Sequence, residues 1–593
     1  MSTSDSERRE TPQQDAASDD SSGVSRRTAL KMGAAASAAA AIITSRKSMA
    51  VDEDTYPPPG TEPPPAPDVC PTRPVNSPPT RPFVQALPIP ASKAPRRLSP
   101  APTINANTNA GEAARPPHQR WNEFLPQVTY EMSARPALHR FHPDLPPSYV
   151  WGFDGRVPGP TFINQYGRPT LVRIHNDLPV NHTGFGINEI TVHLHNGHTP
   201  YESDGFAADY YTPGFWKDMH YPNVLAGYDA FPPKGDVREA MHTLWYHDHR
   251  HTFTSPNTYR GLAAMYLLYD DIDSGNENDS RRSALRLPAP YGVYDIPLIL
   301  SDKLFCADGT LFAATNPGGV PAGDKFCVNG VIQPYFKVQR RKYRFRVLAT
   351  GPTRLWNFTL SNGWPFQVIA TDGNLLQSPL NVPNLPVSVA ERFDFVLDFS
   401  KAKIGDFVYL VNNQAQFVGN APEPEPVPGI PIGNVVMRFD VVSDPPVPDA
   451  SRVPSTLTTY PPVNLSEVVA DRVLDFDLVN GRFLINGLVF DENTPLFSVK
   501  KGTAERWRLR NILPAAGWTH PVHIHFEEFR VLSRNGAPPS ALESGRKDVI
   551  TLPGGNEVEL FFRFRDFKGK YMLHCHNMNH EDNFMLARFD IVD

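Results

Sequence analysis

Beyond residue 120 the chain is a succession of short apolar runs broken by Gly, Pro, Asn and Asp. Thr170–His175, Leu244–Tyr246, Ala263–Tyr269, Tyr343–Leu348, Phe366–Ala370, Phe393–Phe399 and Phe407–Val411 are all of strand length. In Tyr343-Arg344-Phe345-Arg346-Val347 and in Glu559–Phe564 apolar and polar residues alternate. A period of two places the apolar side chains on one face of an extended strand, the pattern of a half-buried sheet. Long stretches with a 3.6-residue period are missing, so the pattern predicts an all-β fold of antiparallel Greek-key β-sandwich or barrel domains, each about 150 residues long. The acidic, Pro-rich stretch 423–431 reads as a loop, and 443–462 as an interdomain linker.

The amino end follows other rules. Arg26-Arg27 precedes a weakly hydrophobic, Ala-rich stretch from Met32 to Ser45, and Ser48-Met49-Ala50 offers a cleavage site. This resembles a twin-arginine (Tat-type) export signal over residues 1–50, which implies the Tat export machinery as a partner and a periplasmic, cell-envelope or extracellular protein. Seventeen prolines fall between Pro57 and Pro102. Such a segment favours polyproline II and buries no core, so 51–80 is expected to be a disordered tail, with Phe83 in the first apolar anchor.

Composition narrows the classes. The 593 residues carry 57 Lys+Arg against 63 Asp+Glu, a net charge of −6. That balance lacks the basic excess of a nucleic-acid binder. No run of 18 apolar residues occurs past the amino end, so no membrane span is expected in the mature protein. Four cysteines are too few for a disulfide scaffold. In an exported protein Cys306 and Cys327 are the candidate bridge, which leaves Cys70 unpaired.

Histidine position changes the picture most. All 19 histidines lie in 118–251 or 520–580. Ten sit in four clusters: His193-Leu194-His195, His247-Asp248-His249, His520-Pro521-Val522-His523-Ile524-His525, and His574-Cys575-His576 with His580. On a strand, residues i and i+2 share a face roughly 6–7 Å apart, a spacing that suits ligands of neighbouring metals. Four such pairs supply eight imidazoles, enough for three ions. Cys575 points the opposite way from His574 and His576, so its thiolate serves a different metal, joined to the first group by a few covalent bonds. Cys575, His580, Met585 and the off-face His520 complete a His₂Cys set with an axial Met, the ligand signature of a blue-copper site. Zinc favours a closed tetrahedral set without Met.

These motifs resemble the multicopper oxidase family, in the bacterial three-domain laccase group with spore-coat laccase, bilirubin oxidase and phenoxazinone synthase. The resemblance covers about residues 81–593. Asp144-Leu145-Pro146-Pro147, Trp151-Gly152-Phe153-Asp154-Gly155 and Pro158-Gly159-Pro160-Thr161 are similar to its first-domain opening. Leu244-Trp245-Tyr246-His247-Asp248-His249 and Tyr259-Arg260-Gly261-Leu262-Ala263 are similar to its second copper motif and the strand after it. His574-Cys575-His576-x3-His580-x4-Met585 matches its closing signature.

The resemblance implies three cupredoxin-like domains, at 81–275, 276–445 and 446–593, the middle one without copper ligands. It implies four copper ions. His193 and His523 would hold type 2 copper, and His195, His247, His249, His525, His574 and His576 the type 3 pair. His520, Cys575 and His580 would hold type 1 copper, with Met585 axial. Electrons from a small aromatic reducing substrate would enter at His520 and pass through Cys575 to the cluster, where O₂ becomes water. That step needs protons, and Asp204 and Glu581 occupy positions similar to the family's acidic pair. Asn196, where relatives usually carry Gly, and Arg250-His251, where they often carry Ala-Met, depart from the pattern. His198 and His251 have no assigned role and are expected to be structural or surface residues.

The leading expectation is a laccase-like oxidase of phenols, aminophenols and related donors. Alternatives are a Mn(II) or Cu(I) oxidase, a bilirubin-oxidase-type enzyme and a non-catalytic copper-binding coat protein. With 11 methionines and no Met-rich segment, the chain offers little for cuprous ions.

Overall fold

The computed structural model describes residues 70, 73–100, 115–182, 184–313, 320–414 and 434–593. The export signal, residues 51–69 of the tail and the 423–431 loop lie outside the described residues. Strands dominate the rest and form six sheets. Two four-stranded sheets, around Val128–His139 and Thr243–Asp248, close over a core that includes Trp151, Phe162, Leu244 and Tyr266. A seven- and a five-stranded sheet enclose Phe345, Phe358, Phe395 and Phe439. A six- and a five-stranded sheet enclose Trp507, Val522, Phe562 and Phe589. The all-β sandwich architecture is therefore present, repeated three times. Each core needs both of its sheets, because a sheet with one apolar face is stable only when that face is covered.

The alternation at Tyr343–Val347 resolves differently from a half-solvated strand. Strand Lys342–Ala349 is buried on both faces past its first residue. Arg344 reaches Asp273 at 2.6 Å and Asp394 at 2.5 Å, and Arg346 reaches Asp295 at 2.7 Å. Asp295 and Asp394 belong to neighbouring strands of the same sheet, and Arg346 Nη1 also donates to Thr243 Oγ1 of the first sandwich at 2.7 Å, so the polar face is closed by buried ion pairs and by the first sandwich rather than by water. Removing one partner of such a buried pair costs about 3–5 kcal/mol, because the other charge is left uncompensated.

The expected Cys306–Cys327 bridge is not formed. Cys306 is bonded instead to Cys70, and Cys327 is a buried free thiol. The reason is that the arm before Phe83 runs along the second sandwich: Ser77 N donates to Asp324 at 2.9 Å, and Ala86 bridges to Tyr335. Residues 73–80, which composition assigns to the tail, are part of that arm. The segment 443–462 is likewise tied down, with Asp449 accepting from Arg341 at 2.9 Å and Leu457 N bonded to the Gln377 carbonyl. Among the described residues no helix is long and apolar enough to cross a membrane.

Candidate metal centre

Two pairs of antiparallel strands carry most of the site. Val192–His195 pairs with Thr243–Asp248, placing His193 opposite His247. His520–Ile524 pairs with Gly569–Cys575, placing His523 opposite His574 and Val522 opposite Cys575. The first pair belongs to the first sandwich and the second to the third. All ten clustered histidines are buried, and their rings come together as the spacing predicts.

Three groups form on one side. His195, His247 and His576 offer nitrogens within 4.8 Å of one another, as do His249, His525 and His574, and His193, His523 and His525. His193 Nε2 faces His523 Nε2 at 3.4 Å, and His574 Nε2 faces both His249 Nε2 and His525 Nε2 at 3.2 Å. Burial pushes His247 down to about 3, His249 to about 4, and His193, His195, His523, His525 and His576 well below the ordinary range, toward the neutral form. Neutral nitrogens turned toward each other would oppose lone pairs unless a cation lies between them.

The far side of five of these rings meets oxygen, which aims their Nε2 inward. Nδ1 meets a main-chain oxygen in His193 (of Asp204), in His247 (of Asp248, 2.8 Å) and in His523 (of Asp548, 2.9 Å). His525 Nδ1 meets the Asp204 carboxylate at 2.7 Å, and His574 Nδ1 lies 3.2 Å from Glu581. Oxygen partners of this kind fix the tautomer and orientation of metal-binding imidazoles. Trp245 stacks on His247 with centroids 4.2 Å apart.

Both sequence-predicted acids thus border the group. Burial pushes Asp204 well above the usual carboxylate range. For Glu581 burial acts the same way, but His574 and His249 outweigh it and hold the carboxyl low. Thr254 Oγ1 donates to Glu581 at 2.8 Å.

On the reverse face Cys575 Sγ lies 3.4 Å from His520 Nδ1 and 3.6 Å from His580 Nδ1, and those nitrogens are 3.1 Å apart. Met585 is buried in the same core as Cys575, and its backbone bonds to both Cys575 and His580. Phe483 and Trp518 flank His580.

Three residues beside the cluster were not singled out from sequence. Asp548 Oδ2 lies 3.0 Å from His195 Nε2; nothing in its setting, Lys547-Asp548-Val549, marks it. Thr254 and Phe483 are equally unmarked. The departures have explanations away from the metal positions. Asn196 takes a left-handed φ of 68°, which Asn tolerates, and its amide donates to Asp372 O and Glu528. Arg250 pairs with Glu189 at 2.8 Å and stacks on Tyr210, while His251 lies edge-on to Phe490. His198 bonds Asp566 at 2.8 Å. His198 and His251 are structural, as expected.

Comparison with known proteins supplies the context for this geometry. Three family models, each described as multicopper oxidase, match residues 139–272, 308–426 and 461–593. A bilirubin oxidase from Albifimbria verrucaria is 35% identical over 520 residues, covering 86% of this chain and 81% of that protein. A laccase from Bacillus subtilis is 31% identical over 524 residues, covering 78% of this chain and 94% of the relative. The solved structure of a multicopper oxidase variant from Aquifex aeolicus superposes with a TM-score of 0.67 at 25% identity, covering 86% of this chain and all of that one.

Proposed function

The chain belongs to the multicopper oxidase family, and we propose that within it the protein oxidises phenols, aminophenols and related small aromatic donors. It is a laccase-like copper oxidoreductase with O₂ as acceptor. The family requires four copper ions, and the paired neutral nitrogens, with a thiol between two imidazoles behind them, suit that metal. In our reading His193 and His523 hold type 2 copper. His195, His247 and His576 hold one type 3 ion, and His249, His525 and His574 the other. His520, Cys575 and His580, with Met585 buried in the same core, would hold type 1 copper. When bound, the copper ions carry single electrons from the donor and deliver four of them to O₂.

The observation that carries the reading is the placement of Cys575. Its sulfur lies between His520 and His580, while its chain neighbours His574 and His576 belong to the other group. One strand therefore joins the two centres covalently. Asp204, pushed toward its protonated form, and Glu581, held as a carboxylate that can accept and pass on a proton, orient His525 and His574 on two sides of the buried group. The donor side is different in kind and is read at His580 rather than at the expected His520, which is fully buried: Phe483 and Trp518 form an apolar, aromatic rim beside His580, which suits planar donors.

The similarity to a bilirubin oxidase supports a second reading, with a linear tetrapyrrole as donor. We also place domain boundaries at 275/276 and 445/446 in line with the three cores, and infer Tat-type export from Arg26-Arg27 and the Ala-rich stretch. The Cys70–Cys306 bridge supports an oxidising compartment.

The deciding experiment follows the blue absorption of copper-loaded protein during addition of 2,6-dimethoxyphenol, with and without O₂. Bleaching without O₂, recovery with air and about four phenols oxidised per O₂ are expected. A band that bilirubin bleaches and phenols do not would favour the second reading. No blue band after full loading would remove the type 1 assignment.

A further inference from the structure

The middle sandwich contributes no histidine to the metal centre, yet one of its side chains reaches the centre's edge. Arg392, on strand Arg392–Asp398, is fully buried. A guanidinium has five N–H donors, and here every one is used. Nε donates to Thr243 O at 3.2 Å. Nη1 donates to Ala390 O at 3.0 Å and to Asp548 Oδ1 at 2.8 Å. Nη2 donates to Asp372 O at 2.8 Å and to Asp548 Oδ2 at 3.1 Å. The two bonds to Asp548 form the parallel fork that sets a carboxylate's plane as well as its position.

Asp548 in turn touches two rings of the centre. Its main-chain oxygen meets His523 Nδ1 at 2.9 Å, and its Oδ2 lies 3.0 Å from His195 Nε2. Those two rings are stacked, with centroids 3.7 Å apart and 14° between planes. His193, His247, His523, His525 and His574 meet oxygen at Nδ1, whereas the oxygen beside His195, Asp548 Oδ2, stands 3.0 Å from its Nε2. Arg392 fixes the carboxylate that borders this ring. Lys547 completes the setting, with Nζ 2.8 Å from Asp372, the residue whose carbonyl also receives Arg392.

We propose that Arg392 is a positioning residue for the trinuclear cluster: the copper-free middle domain sets, through Asp548, the orientation of His195 and His523. This rests on the ligand assignment above. Loss of the fork lets the Asp548 carboxylate turn and His195 tilt, together with His523 stacked on it, while Cys575 and His520, on the opposite faces of their strands, and His580, on the short helix Met578–Asp582, keep their arrangement.

The test uses full-length copper-loaded protein carrying Arg392→Met, Arg392→Lys or Asp548→Asn. Three readouts are taken: the type 1 blue absorption, the type 2 EPR signal, and the rate at which donor-reduced enzyme is reoxidised by O₂. We expect an unchanged blue band and unchanged reduction by donor, with an altered type 2 signal and reoxidation slowed by about 10- to 100-fold. Arg392→Lys, which keeps the charge and loses the fork, should be slowed less than Arg392→Met. Unaltered EPR and reoxidation in the Arg392 variants would overturn the proposal. So would parallel loss of the blue band and the type 2 signal, which would show general damage. If the Arg392 variants do not fold, the isosteric Asp548→Asn decides alone by the same criteria. A wild-type protein with no type 2 signal would instead defeat the ligand assignment.

Discussion

The phenyl ring of Phe483 lies nearly parallel to the imidazole of His580, with 3.9 Å between centroids and 24° between planes. Phe483 sits in strand Arg482–Ile485, just past the tight turn at Asn480-Gly481, where both residues take a left-handed φ, 51° and 77°. Trp518 approaches the same imidazole edge-on at 5.0 Å. The turn therefore delivers an aromatic cover to the type 1 histidine. Phe483→Ala should uncover that ring and raise kcat/KM for 2,6-dimethoxyphenol severalfold without changing the KM for O₂. It should also lower stability by about 3 kcal/mol, the cost of emptying a buried aromatic site. Steady-state kinetics with donor and O₂ varied in turn would check this; a change confined to the O₂ side would refute it.

Glu581 is held from two directions, by His574 at 3.2 Å and by the Thr254 hydroxyl at 2.8 Å. Glu581→Gln keeps the shape and removes the proton-carrying group, so reoxidation by O₂ should slow by about 100-fold or more while the blue absorption is retained. Thr254→Val leaves the acid in place without its neutral partner. A hydrogen bond to a charged group is worth about 1.5–3 kcal/mol, so the same step should slow by about tenfold. Stopped-flow mixing of donor-reduced enzyme with O₂ isolates the step. Reoxidation at the wild-type rate in Glu581→Gln would remove this residue from proton delivery.

The sequence shows ligands far better than it shows their supports, for a physical reason. Metal ligands must be particular residue types at spacings set by one strand, so His193/His195 or His574/Cys575/His576 declare themselves locally. Asp548, Arg392 and Thr254 act across sandwich boundaries and use common residue types, so their partners are hundreds of positions away in the chain. Arg344 and Arg346 mislead in the same way: alternation marks them as solvent-facing, but buried carboxylates of their own sheet and Thr243 of the first sandwich take up their charge. The disulfide fails for a related cause. Cys306 and Cys327 are close in sequence, but the arm brings Cys70 to Cys306 from 236 residues away.

That arm gives a covalent prediction. A non-reduced peptide map should pair Cys70 with Cys306, and alkylation of unfolded, metal-free protein should label only Cys327 and Cys575. Cys70→Ser should lower stability by about 2–4 kcal/mol by freeing the arm in the unfolded chain. Turnover at moderate temperature should be unchanged, because the described arm residues contact Phe305, Asp324 and Tyr335 rather than the clustered histidines. A Cys306–Cys327 peptide would contradict the chain path described above.

Acid stability tests the clamp between the first and third sandwiches. Glu239, buried on a short turn of helix in the first, accepts from Arg565 Nη1 at 2.8 Å and from Arg546. Burial alone would push its carboxyl up, but the two guanidinium groups outweigh burial and bring it down to about 2. In the unfolded chain a glutamate titrates at about 4.3. The folded value is the lower one, so Glu239 contributes stability that is fully present above about pH 4.3 and is lost as pH falls toward 2. The share at stake is about 3 kcal/mol. Glu239→Gln should be several kcal/mol less stable at pH 7, because Arg546 and Arg565 lose a buried counter-charge. Its acid limb should be shallower, so the gap to wild type narrows between pH 5 and pH 3 in urea titrations. A gap that stays constant across that range would show that Glu239 is not held ionised by these arginines.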